Sequence, residues 1–261
     1  MNLLSDYRQL TKDIGATSKR VAGEPSIKRQ AAEYLANVVK VKSVDDFMNN
    51  DKVYRFALAA FGLKEMTYAK GFIRKALTEG IDDPKSFTVR LADSRFHEFV
   101  EAFNFARYGT ATTSFDRTQQ GTVDRFVRTS LEEQVGSQDE RLRLALYFRR
   151  KAPNINSAFS ILADKALYTV VRTALGIPAA ISFSDIDKQA ALISEKISIA
   201  DFHDGEKLEK FMSKYLARAE AQGSSASAGA AAPAISILQG AAQTVDMSTL
   251  LSIQNLRRFN S

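Results

Sequence analysis

One short frame occurs twice in this chain. Asp46-Phe47-Met48-Asn49-Asn50-Asp51-Lys52 returns as Asp201-Phe202-His203-Asp204-Gly205-Glu206-Lys207: acid, Phe, three residues, acid, Lys. Looser copies sit at Phe87 with Asp93 and at Phe159 with Asp164-Lys165, and each opens an apolar pattern of helical period. Asp51 to Asp93 spans 42 residues, and so does Asp164 to Glu206. Helix starts repeated at fixed distances require similar helical units to stack on one another. The expectation is an all-α fold, a multi-helix bundle built from two similar four-helix units by internal duplication, with mobile termini. Chance similarity between helix–turn–helix sequences stands as the other reading of these offsets.

Taken in order, residues 1–24 form an N-terminal arm. Leu3, Tyr7, Leu10 and Ile14 fall at helical spacing, but Gly15, Gly23 and Pro25 interrupt them. A short helix is marginal without a surface to pack on, so the arm reads either as frayed or as a segment that orders on assembly. Residues 25–108 make the first unit, with helices over about 26–41, 44–61, 68–79 and 87–107; Ser26 and Ser43 are N-caps, Gly62 and Gly80 ends. Residues 109–138 hold an aperiodic polar connector and a helix from about 122 to 135, which a continuation past Gly136 would join to Asp139–Lys151 until Pro153 stops it. The second unit is 139–221, with helices over 140–151, 157–175, 184–197 and 199–220. Phe47 then falls on Phe159 at an offset of 112, and Phe87 on Phe202 and Ala76-Leu77 on Ala191-Leu192 at 115. Residues 222–234 read as a flexible Gly/Ser/Ala linker, and 235–261 as an amphipathic C-terminal tail.

Composition excludes several classes of function. No run of about 18 apolar residues occurs, so no membrane span is expected. The first residues lack a cationic region followed by an apolar one, which argues against a cleaved secretory signal. With no cysteine there is no disulfide, thiolate or Cys-ligated metal chemistry. The formal charge of +6 is mild for 261 residues and its cations alternate with acids, as on a solvated surface rather than a nucleic-acid face.

No phosphate-cradling Gly-rich loop follows a strand, and no strand pattern stands out. The two histidines, His97 and His203, each lie near the start of a helix with Asp93, Glu98 and Glu101, or Asp201, Asp204 and Glu206, close by. Such acids at helix starts are explained by capping and the helix dipole before catalysis or metal ligation. The same holds for the repeated Asp51, Asp93, Asp164 and Glu206. Phe47, Phe87, Phe159 and Phe202 read as packing residues at helix starts, and Arg149-Arg150-Lys151 as a helix C-terminus rather than a phosphate site. No catalytic, cofactor-binding or metal-ligating residue is assigned, no cofactor is expected, and the chain is read as not an enzyme.

The cassettes, with Ala57–Gly62, Leu91-Ala92-Asp93-Ser94-Arg95-Phe96 and Leu162-Ala163-Asp164-Lys165-Ala166-Leu167, resemble a bacterial all-helical family known as domain of unknown function 1217, over about residues 25–220. Genes of that family often lie among flagellar genes. The resemblance implies a non-enzymatic structural, assembly or interaction protein linked to the flagellum and motility. The implied place is the cytoplasm, or the flagellum through signal-less export. The partner is then a protein, a flagellar component or a second copy held through the termini, with no nucleic acid involved. Val245, Leu250, Leu251, Ile253 and Leu256 are the candidate partner-binding positions of the tail. The alternative is a helical ligand-binding domain or enzyme, which would gather Asp93, His97 and Glu101 around a cavity between the halves.

Overall fold

Short polar side chains at the edges of apolar runs decide where the helices begin. Ser43, Asn50, Asp93, Asp139, Ser157 and Asp164 each accept a hydrogen bond from an amide two or three residues on. Each satisfies a donor that the first helical turn leaves free and contributes about 1 kcal/mol. A computed structural model of the chain describes residues 2–91 and 93–229. Among them every regular element is helical and there is no strand.

The α-helices are α1 Leu3–Lys12, α2 Ile14–Ala22, α3 Pro25–Val38, α4 Val44–Asn49, α5 Asp51–Ala60, α6 Lys70–Glu79, α7 Ser94–Ala102 and α8 Phe105–Tyr108. They continue as α9 Gln120–Gln138, α10 Glu140–Lys151, α11 Ala158–Leu162, α12 Lys165–Leu175, α13 Ile186–Lys196 and α14 Gly205–Gly229. The chain divides into residues 1–217 and 218–261; of the second unit the description covers 218–229, the last part of α14. Within the first, α5 packs on α3 and α9, and α9 passes on to α10, which meets α12. Two aromatic clusters hold the core. Phe47 sits within 6.1 Å of the rings of Tyr54, Phe99, Phe103 and Phe105. Phe148, Phe202 and Phe211 form the other, at 5.1 to 5.3 Å. Burying such a side chain is worth about 2–3 kcal/mol.

Helix caps and buried positions line up along the sequence at a shift other than those expected. Shifted by 114 residues, the segment from Tyr34 to Leu63 falls on the segment from Phe148 to Ile177. N-cap Ser43 then meets N-cap Ser157, and N-cap Asn50 meets N-cap Asp164. Tyr34, Val38, Val41 and Phe47 meet Phe148, Ala152, Ile155 and Ile161, all at most 2% exposed. Gly62 (φ 70°) meets Gly176 (φ 65°), in the left-handed region that closes a helix. The closing hydrogen bonds agree as well: Leu63 N–H donates to Leu58 at 2.8 Å, and Ile177 N–H to Arg172 at 2.9 Å.

The pairs expected from sequence do not occupy like places. Phe47 is buried on the fourth residue of α4, whereas Phe159 is the second residue of α11 and is 52% exposed. Phe87 precedes α7 in a run of turns, half-buried edge-on to Phe72, because the carboxylate of Asp93 starts that helix later than the periodicity suggests. Phe202 lies fully buried in the single-turn helix 199–203. Ala76 and Leu77 are buried, but Ala191 is exposed. The helix expected over 157–175 is broken at Asp164, which caps α12.

The expected N-terminal arm is two folded helices. Leu3, Tyr7 and Val21 are at most 1% exposed, α1 packing on α10 and α2 on α9. The glycines do not break them: Asp13 caps α2 just before Gly15, and Gly23 closes it. The connector is a polar plug rather than a loop. Thr112, Thr113, Thr118 and Thr122 are at most 1% exposed, and Thr113 donates to the Val41 carbonyl at 2.7 Å. The linker expected from residue 222 is helical as far as Gly229. The remainder of the linker and the tail with Val245, Leu250, Leu251, Ile253 and Leu256 lie outside the described residues.

Candidate functional site

The repeated acids serve helix starts. Asp93 and Asp164 are N-caps, Asp51 and Glu206 lie in first turns, and Asp51 pairs with Arg55 at 2.6 Å. Burial pushes the Asp93 carboxyl up, yet the hydrogen bonds and charge of Arg95 outweigh it and hold the group below the usual carboxylate range. His97 and Glu101 are exposed, and the ring Nε2 of His203 lies 3.0 Å from the Ile155 carbonyl oxygen. No group of three metal-ligating side chains occurs among the described residues. Asp93, His97 and Glu101 do not line the cleft described below.

A polar seam joins α7, α9, α10 and α12. Glu98 accepts from Lys151 and from Arg125, the latter at 3.2 Å. Glu132, with its side chain 4% exposed, takes Arg150 through two hydrogen bonds of 2.6 and 2.9 Å. Tyr147 donates to Asp164 at 2.6 Å. Burial and the Asp164 carboxylate push its hydroxyl pKa far up, so that it stays a donor. Arg149 bonds Glu209 and the Tyr7 hydroxyl. The run Arg149-Arg150-Lys151 is thus paired with internal partners.

A cleft of about 470 Å³ opens between α3, α5 and α9. Its floor is the ring column Tyr34, Phe56 and Phe126, spaced 4.3 and 4.1 Å. Ion pairs Lys52–Glu33, Arg55–Asp51 and Lys64–Glu133 stand around the mouth.

A different surface stands open on α11, α12 and α13. Phe159 is 52% exposed, Phe183 93% and Ile186 56%. Helix α11 packs on both α12 and α13, and the capping box of Ser157 with Ser160 sets its direction. Tyr168 of α12 lies 3.2 Å from Ser182, which places the single-turn helix 179–183 and its terminal Phe183 beside α12. Leu162, one turn past Phe159, is half-buried. Large apolar groups clustered on a surface mark contact sites, whereas scattered ones need no explanation. Sequence reasoning counted Phe159 as a core residue and passed over Phe183 and Ile186. No signal marked Ile186, which falls at i, i+4, i+7 with Ala190 and Ile193, the residues α13 buries, and so reads as a core position.

Comparison with known proteins gives two matches. A family model described as "Protein of unknown function (DUF1217)" matches residues 60–208. The crystal structure of protein AGR_C_984 from Agrobacterium tumefaciens is 40% identical, with a TM-score of 0.79, over 85% of this chain and 96% of that one. No curated protein matches.

Proposed function

The chain belongs to the DUF1217 family of proteins of unknown function, and from that premise we propose a non-enzymatic assembly or interaction protein of the bacterial flagellar system. The observation that carries the interaction reading is the exposure of three large apolar side chains, Phe159, Phe183 and Ile186, between 52 and 93%. Aromatic side chains are enriched where proteins meet. The flagellar part is supported by the genes among which members of the family often lie. The protein acts in the cytoplasm, or at the flagellum after signal-less export; among the described residues no helix is long and apolar enough to cross a membrane. Deleting the gene and scoring swimming and filament formation tests this. Loss of either supports the reading, and normal motility ends it.

The cleft between α3, α5 and α9 favours a second reading, a helical domain that binds a small ligand or acts on one. Its aromatic floor and polar mouth suit a flat molecule with polar edges. Thermal-shift screening of Phe126→Ala against the unaltered protein tests it: a ligand that stabilises only the unaltered protein supports the cleft.

A further inference from the structure

Three helix faces turn towards the cleft between α3, α5 and α9. Its walls carry Ile27, Gln30 and Tyr34 of α3, at spacings of three and four residues. From α5 come Lys52, Phe56 and Ala59, and from α9 Phe126, Ser130 and Glu133, at the same spacings. Each helix thus brings a buried ring, Tyr34, Phe56 or Phe126, and a charged side chain 42 to 64% exposed, Glu33, Lys52 or Glu133. Ser130, between Phe126 and Glu133 on α9, is half-buried, and its hydroxyl has no hydrogen bond among the described residues.

The mouth is balanced in charge. Three acids, Glu33, Asp51 and Glu133, face three cations, Lys52, Arg55 and Lys64, pair by pair. A ligand charged in one sense only would meet a like charge beside every opposite one, so a plain anion such as a phosphate gains little here. The pairs are not equally tight. Lys52–Glu33 and Arg55–Asp51 are hydrogen-bonded, whereas Lys64 and Glu133 stand 3.7 Å apart, beyond hydrogen-bonding distance. Their side chains are 69 and 52% exposed, and an ion pair so exposed contributes little. A ligand can part it and give each member a charge-assisted hydrogen bond in return. Such a ligand carries both charges close together, as an α-amino acid does on one carbon.

We infer that the cleft binds a free α-amino acid with an aromatic side chain, its ring against Phe56 and Phe126, its carboxylate on Lys64 and its ammonium on Glu133. The volume of about 470 Å³ lies within the range of small-molecule sites. This rests on the cleft reading above and needs no part of the flagellar one.

The test is calorimetric titration of the full chain with L-phenylalanine and three analogues: phenethylamine, which keeps only the ammonium; 3-phenylpropionate, which keeps only the carboxylate; and N-acetyl-L-phenylalanine amide, which keeps neither charge. L-phenylalanine should bind with a dissociation constant of about 1 mM or below, and each analogue about tenfold or more weakly. Lys64→Gln and Glu133→Gln, at exposed positions, should each weaken L-phenylalanine by a similar factor while leaving the thermal midpoint unchanged. Ser130→Trp should fill the cleft and abolish binding. The inference is overturned if L-phenylalanine does not bind, if a singly charged analogue binds as well, if binding is indifferent to Lys64→Gln and Glu133→Gln, or if it survives Ser130→Trp. Where a different compound stabilises the protein and Ser130→Trp removes the effect, the cleft reading stands and the amino acid falls. Where no compound of a broad screen does so, both fall.

Discussion

Replacing Phe47 by Ala should be among the most destabilising single changes in the chain, and the same change at Phe159 among the mildest. The repeated frame treats the two as one residue; the structure does not. Phe47 is fully buried, with four rings around it at 5.2 to 6.1 Å. Truncation there removes the transfer free energy of the ring and leaves a cavity that α4, α5, α7 and α8 cannot all close, together about 3–5 kcal/mol. The lost edge and tilted ring contacts lie within that sum. Phe159, 52% exposed, gives up little burial and leaves no cavity, so Phe159→Ala should stay within about 0.5–1 kcal/mol of the parent. Urea unfolding followed by circular dichroism measures both, the midpoint shifting with an unchanged slope. Where Phe47→Ala leaves too little folded protein, Phe47→Leu should still show about 1 kcal/mol. Equal losses at the two positions, or a Phe47→Ala loss below about 1 kcal/mol, would refute the reasoning.

Gly62→Ala and Gly176→Ala should each cost about 1–2 kcal/mol and agree closely, since both glycines have left-handed φ. At Gly62 an added Cβ meets only Arg95 Cδ at 3.7 Å, so the loss there is one of backbone; thermal melts of both variants check it. Glu132→Gln should cost about 3 kcal/mol by leaving the half-buried Arg150 without its counter-charge beside Arg128 and Arg149, and Glu132→Met with Arg150→Met should recover most of it. A double-mutant cycle reads the coupling. The Asp139 carboxyl is held low by the hydrogen bond from Arg141, against its burial, and Asp93 is held low as well. Both are depressed in the folded state, so their contribution is present above the ordinary carboxylate pKa near 4 and is lost as pH falls through the lower folded values. The thermal midpoint should be flat from about pH 7 to 5 and drop below about 4, and Asp139→Asn should soften the drop.

Much of the architecture was legible because caps and periods are local. Helix α10 runs over Glu140–Lys151 as its spacing predicts, and Ser43, Ser157 and Gly62 mark ends in the sequence as they do in the fold. Register was not legible, because the conspicuous side chain misled. Phe47 and Phe159 look alike, but caps are what place a helix, and the caps align at 114 rather than 112. The threonine plug was hidden for the opposite reason: its residues are buried through hydrogen bonds and carry no apolar period. Exposure at Phe183 and Ile186 is a tertiary property, and a local pattern carries no trace of it.

The proposed function stands most directly on one measurement, the swimming of a deletion strain complemented with the chain carrying Phe183→Ser and Ile186→Asp. Both positions are more than half exposed, so the variant should accumulate and melt like the parent. The account predicts that the unaltered gene restores motility and the variant does not. Full swimming with the variant, at normal protein levels, would contradict it.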